Sequence, residues 1–161
     1  MVNTEYICRD EAHHFTNGGV DTMSNSYNLT YEDLTDDIVI IKINQSYSPH
    51  MPALNLYDYT RGCWKRKIES VKSAKYALAT YKGEVVEVYK IDYWCPASEL
   101  NRETVPYNPE RHQDRIGFFG SVATKEIRDK YIGKSVKSFF KWGEANPVKL
   151  IKAENRTVTK Q

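Results

Sequence analysis

The sequence predicts an α+β domain with a strongly curved antiparallel or mixed sheet, and three observations predict it. Runs dense in β-branched residues alternate with short amphipathic stretches, two apolar runs are parted by one tight turn, and long polar loops separate the rest. The tight turn, Tyr81-Lys82-Gly83-Glu84, argues for antiparallel neighbours, because so short a connection leaves no room for a parallel crossover. With 161 residues, 40% apolar and 27% charged, the chain has the size and composition of one globular domain with a substantial core.

Taken in order, residues 10–36 are polar, rich in Asn, Thr, Asp and Gly, and lack a period of 2 or 3.6, which reads as loop. Asp37 to Asn44, DIVIIKIN, suits a buried strand, and Pro49 and Pro52 then turn the chain. Thr60-Arg61-Gly62-Cys63-Trp64 reads as a turn before a helix, since Trp64, Ile68 and Val71 follow i, i+4, i+7 over Lys65 to Ser73. The hairpin follows, with Gly83 supplying the positive φ of its turn and Val86 and Val88 alternating with Glu87, a pattern that Tyr89, Lys90 and Ile91 blur.

Residues 95–114 hold three prolines and form a long excursion; Arg115 to Val122 offers another strand, with Gly117 and Gly120 flanking Phe118-Phe119 at a bulge or close approach. Thr124 caps a helix through KEIRDKYI that Gly133 ends, KSVKSFFKW adds a helical turn or two up to Gly143, and VKLIKA after Pro147 makes a final strand. The expected division is a loop-rich extension over 1–36, the folded domain over 37–152 and a frayed tail over 153–161.

The first residues lack a basic start followed by an apolar stretch, and the longest apolar run, Ile38 to Ile41, is too short to span a bilayer. A cytoplasmic protein with no membrane partner is expected. Cys8, Cys63 and Cys95 are odd in number and widely spaced, so reduced thiols are the simplest state, and the Asn-x-Ser/Thr triplets at Asn28, Asn44 and Asn155 then carry no glycan. The net charge of +2 hides a gradient: Lys and Arg against Asp and Glu run 2 to 9 over residues 1–60, 11 to 8 over 61–124 and 10 to 4 over 125–161. The basic end could meet phosphates, neutralise the acidic end of its own fold, or form a solvated face.

Catalytic signatures are absent from the sequence: there is no GxxxxGK[ST], GxGxxG or GxSxG. Cys8, Asp10, His13 and His14 lack the spacing of a zinc site, and Gly18-Gly19-Val20-Asp21-Thr22 reads as a turn, so no metal and no cofactor are expected. Glu84 and Glu87, three apart on a strand, point to opposite faces, and Glu32, Asp33, Asp36 and Asp37 read as punctuation before a strand. What remains is aromatic and cationic: Tyr59, Trp64, Tyr93, Trp94, Phe118, Phe119 and Trp142 beside Arg61, Arg66, Arg115 and Lys141. Bases stack on such rings and Arg pairs with phosphate or a purine edge, although the same residues could fill a core.

Tyr57-x-x-Thr60-Arg61-Gly62-x-Trp64, Ala77-Leu78-Ala79, Gly83 to Tyr89, Trp94, Gly117-Phe118-x-Gly120 and Gly143-x-x-Asn146-Pro147 together resemble an uncharacterised prokaryotic and phage group of the PUA-like superfamily, which includes ASCH, EVE and YTH domains. The resemblance spans about residues 37–152 and rests on scattered positions. It implies a small, strongly bent β-barrel with short flanking helices and a cleft for nucleic acid or a nucleobase or nucleotide, often a modified base. Its ligand-binding candidates in this chain are Tyr59, Thr60, Arg61, Trp64, Trp94, Arg115, Phe118, Trp142 and Asn146. The ASCH GxKxxExR motif is missing, so that subgroup's catalysis is not implied. Three functions stay open: a non-catalytic binding module, a phage or mobile-element protein that sequesters a nucleotide signal or blocks a host defence protein, and an enzyme acting on bases or nucleotides.

Overall fold

The structure, a computed structural model, describes residues 27–153. Five strands form one mixed sheet in the order β4-β3-β2-β1-β5. Strand β1 (Ile38–Lys42) pairs in parallel with β2 (Tyr76–Tyr81), and β5 (Val148–Ile151) runs antiparallel along the other side of β1. The long strand β3 (Glu84–Pro96) is antiparallel to β2 and to the edge strand β4 (Ile116–Val122).

Burial of both faces explains why β1 is apolar throughout. Ile38 and Ile40 enter one core with Leu78, Val85, Val88, Tyr131 and Phe139, while Val39 and Ile41 enter the other with Ala77, Ala79, Tyr89, Trp94 and Phe118. Each such aliphatic side chain contributes about 1.5–3 kcal/mol when fully buried. The first face is covered by helix α3 (Lys125–Tyr131), N-capped by Thr124 as its sequence predicts, and by 3-10 turns at Tyr31–Asp33 and Lys137–Phe139. The second is covered by the β1–β2 crossover, which carries helix α1 (Ala53–Arg61); the one-turn helix α2 (Pro109–His112) lies in the excursion before β4.

Several expectations are corrected. The α+β class and mixed sheet stand, but the sheet is open, with β4 and β5 at its edges, and does not close into a barrel. Closure would need those edges to pair; instead Trp64 occupies β4 by exchanging backbone hydrogen bonds with Ile116 at 2.8 and 2.9 Å. That same pairing holds Trp64 extended, so no helix runs over 65–73: only a 3-10 turn at Ile68–Ser70 forms, although Ile68 and Val71 still face the core. The helix lies ahead of the turn, on Leu56-Tyr57-x-x-Thr60-Arg61, and starts just past Pro52, whose extended backbone turns the chain as expected. KSVKSFFKW gives the single helical turn expected of it, a 3-10 turn at Lys137–Phe139.

The hairpin forms at the expected turn, with Tyr81 opposite Glu84 and both Lys82 (φ 51) and Gly83 (φ 82) at positive φ. Two positive φ values in a two-residue loop match the right-handed twist of the strands. The alternation expected after it breaks at a bulge, where the partner of Ala79 is Glu87 and that of Thr80 is Val85. The extra residue leaves Val86 half-buried and buries Glu87, whose carboxylate takes Arg128 Nε at 2.8 Å and Nη2 at 3.2 Å. Leu29 and Leu34, assigned to the extension by sequence, are fully buried, so the packed unit includes residues ahead of 37. Residues 1–26 and 154–161, with Cys8, His13, His14, the Gly18-Gly19 turn and Asn155, lie outside the described residues.

Candidate functional site

The sequence-predicted site residues separate into two places. Tyr59, Thr60, Arg61, Trp64, Trp94, Arg115 and Phe118 gather at α1 and the β3–β4 end of the sheet; Trp142 and Asn146 lie beyond the ends of β1 and β2.

At α1, the polar groups are consumed internally. Arg61, 4% exposed, donates from Nε to Asp58 Oδ1 at 3.1 Å and from Nη2 to the Asn101 carbonyl at 3.3 Å, and its guanidinium lies 4.5 Å from the Tyr57 ring centroid and 5.2 Å from that of Phe119. Asp58 Oδ2 accepts Glu103 N–H, Thr104 N–H and the Thr104 hydroxyl at 2.8–3.0 Å, which fastens the 101–104 loop to the helix. The Thr60 hydroxyl donates to Leu56 O, and the Trp64 indole N–H donates to Thr60 O, each at 2.8 Å. Arg115 donates to the Arg111 and Cys63 carbonyls. Phe118 is fully buried with Trp94 edge-on at 5.2 Å, and Tyr59 is half-buried in α1. These residues pack against one another and brace the loops around α1, and among the described residues the only buried side-chain polar atom without a partner is the Trp94 indole nitrogen. Burial pushes the thiols of Cys63 and Cys95 up, outweighing Arg102 and Arg115 beside Cys63, so neither is an activated thiolate.

The open site is elsewhere. A cleft of about 510 Å³ sits at the carboxyl ends of β1 and β2, walled by Lys42, Asn44, Thr80, Lys82 and Gly83 on the sheet side and by Val136, Lys137, Phe140, Lys141 and Trp142 on the other. Lys42 and Thr80 reach it because they continue the face that carries Ile38, Ile40 and Leu78. Lys82 is placed by its turn, its N–H donating to Asn44 Oδ1 at 2.8 Å. Gly83 is favoured by its positive φ, and the Lys137 side chain packs across it, 2.7 Å from where a Cβ would stand.

Phe140 forms the cleft's cationic floor, with Lys42 Nζ 4.0 Å and Lys149 Nζ 4.9 Å from its ring centroid. Lys149 also donates to Phe139 O at 2.8 Å and Glu144 Oε1 at 3.0 Å. Glu144 in turn accepts the Lys141 N–H at 3.0 Å, and this bond, followed by Lys149, holds its carboxyl below the usual range. Asn146 is exposed at the flank, its amide 3.5 Å from Glu144 Oε2. Trp142 is completely exposed, at 101%. The lining thus presents four ammonium groups and an uncovered indole, and it contains no carboxylate.

Of the residues at this cleft, sequence reasoning named Lys141, Trp142 and Asn146 but not Lys42, Lys82 or Lys137. Their signal was faint: the basic C-terminal third, and a lysine at each of two strand ends. Among the described residues no group of His, Cys, Asp and Glu could hold a metal ion, and no helix is long and apolar enough to cross a membrane. Compared with family models, curated proteins and solved structures, the chain has no significant match.

Proposed function

We propose that the chain binds a ligand carrying both a nucleobase and phosphate, a nucleic acid or a nucleotide, in the lysine-lined cleft and does not transform it. The observation that carries this reading is Lys42, Lys82, Lys137 and Lys141 around a cleft with no acidic lining residue, next to a fully exposed Trp142. Lysines that outnumber the one nearby carboxylate, Glu144, which is engaged by Lys149 and the Lys141 N–H, raise the local concentration of anions, and a bare indole stacks on a base for about 1–3 kcal/mol. The lining offers ammonium groups, an amide, a hydroxyl and rings and no carboxylate, histidine or cysteine, and charged, solvent-facing ammonium groups hold anions rather than attack, which favours binding over turnover. The PUA-like resemblance implies the same ligand class, here through Trp142 and its neighbours rather than through α1.

The test is a titration of the full chain with 5′-mononucleotides and short oligonucleotides, read by tryptophan fluorescence, alongside mass spectrometry of molecules released on denaturing the purified protein. Trp142→Ala is expected to weaken binding about 5- to 150-fold, the stacking range, with an unchanged melting temperature. Absence of saturable binding to any nucleotide or oligonucleotide, or equal affinity in Trp142→Ala, would overturn the reading.

A further inference from the structure

The cationic surface does not stop at the cleft. Ser135 N–H donates to Tyr27 O at 2.7 Å and Val136 N–H donates to Gly83 O at 2.9 Å, so the 134–137 segment is laced between Tyr27 and the Lys82-Gly83 turn. Lys134 Nζ lies 5.3 Å from the Tyr27 ring centroid, and that ring is half exposed; its hydroxyl donates to Asp33 Oδ1 at 3.0 Å, so the one carboxylate at this end is held at the ring's edge and leaves the ring face open. A second aromatic–cation pair therefore stands on the segment that leads, through Lys137, into the cleft and on to Lys141 and Trp142. Between Lys134 and Trp142 the chain could span at most about 26–29 Å even if fully extended. The two rings thus stand within the reach of a short oligomer, with lysines between them.

We infer that the ligand is a single strand of nucleic acid running from Trp142 across Lys141, Lys137 and Lys82 to Lys134 and Tyr27, rather than a free nucleotide; this rests on the reading of the cleft given above. The arrangement meets the requirements of strand binding. Lysines track the phosphates, and rings at either end accept bases of any identity, as stacking is tolerant of sequence. A duplex is disfavoured because its bases are already stacked on one another and cannot lie on Trp142.

The experiment measures affinities of the full chain for thymidine 5′-monophosphate and for oligothymidylates of two to eight nucleotides, with Trp142→Ala, Tyr27→Ala, Tyr27→Phe and Lys134→Gln variants. Affinity is expected to rise at least tenfold from monomer to about four to six nucleotides and then level off, in line with sites of about 4–16 nucleotides on comparable surfaces. Tyr27→Ala and Lys134→Gln should each weaken the hexamer several-fold without affecting the monophosphate, and Tyr27→Phe, which keeps the ring, should restore wild-type affinity. With about four phosphate contacts, log K should fall against log salt with a slope near −3. Equal affinity for monophosphate and hexamer, both sensitive to Trp142→Ala, would overturn the strand and leave the nucleotide cleft standing. Binding of neither would overturn both.

Discussion

Two parts of this molecule are built from the same residue types and end with opposite properties. Around α1, Arg61 lies between Tyr57 and Phe119 and is spent on the buried carboxylate of Asp58. Beyond the strand ends, Lys42 and Lys149 lie over Phe140, while Lys82, Lys137, Lys141 and Trp142 face solvent around an open cleft. An aromatic and a cation side by side are therefore no sign of a binding site until the cation's carboxylates have been accounted for. A buried, paired guanidinium is a brace, whereas an ammonium with no acidic neighbour still has attraction to offer.

The sharpest way to break this contrast is Arg61→Ala. Removing one partner leaves Asp58 charged and nearly sealed, with a cost of about 3–5 kcal/mol. Denaturant unfolding should show that loss, and a double variant Arg61→Ala/Asp58→Ala should lose less than the sum of the two single changes. Nucleotide affinity of the fraction that remains folded should be unchanged. Trp142→Ala is the mirror image: affinity falls by about 1–3 kcal/mol while the unfolding midpoint stays put, since the side chain touches solvent on all sides. Were Arg61→Ala to weaken binding in a protein of undiminished stability, the two regions would have to exchange roles.

This contrast also explains what could be read from the sequence and what could not. Ile38 to Ile41, the Lys82-Gly83 hairpin, Thr124 before α3 and the strand after Pro147 are set by local chemistry: β-branched runs, a turn needing positive φ, a cap. Helix α1 and the missing helix at 65–73 depend on contacts distant in sequence. Trp64 is drawn into extended backbone by Ile116, which periodicity over a short window does not reveal. The site suffered more, because nothing in the sequence pairs Arg61 with Asp58 or Asp58 with the 103–104 amides. The four cleft lysines are scattered from Lys42 to Lys141 and become neighbours only when β1, the hairpin and the 137–142 segment are assembled.

A finer test separates charge from backbone at the turn. Asn adopts positive φ readily, so Lys82→Asn keeps the hairpin and removes one ammonium. Stability should hold within about 0.5 kcal/mol, as for a surface change that strains nothing. The salt slope of oligonucleotide binding should become shallower by about 0.7, the share of one phosphate contact on a single strand. An unchanged slope would remove Lys82 from the path.

The smallest effect expected is at Glu144, the carboxylate that braces the cleft without lining it. Its carboxyl sits below the ordinary value of 4.5, held there by the Lys141 N–H first and by Lys149 next. A carboxyl lowered in the folded state binds its proton more weakly there than in the unfolded chain. Its stabilising contribution is therefore complete above the unfolded value and is lost as the pH falls through the lower, folded one. The brace that positions Lys141 beside Trp142 should consequently persist through mildly acid solution and fail only below pH 4.5. A carboxyl NMR titration should find the Glu144 midpoint under 4.5, and Lys149→Ala should move it upward while leaving it depressed, because the Lys141 N–H remains. A midpoint that ignores Lys149→Ala would assign the whole depression to the turn's backbone, and the second ammonium over Phe140 would then be available to the ligand as well.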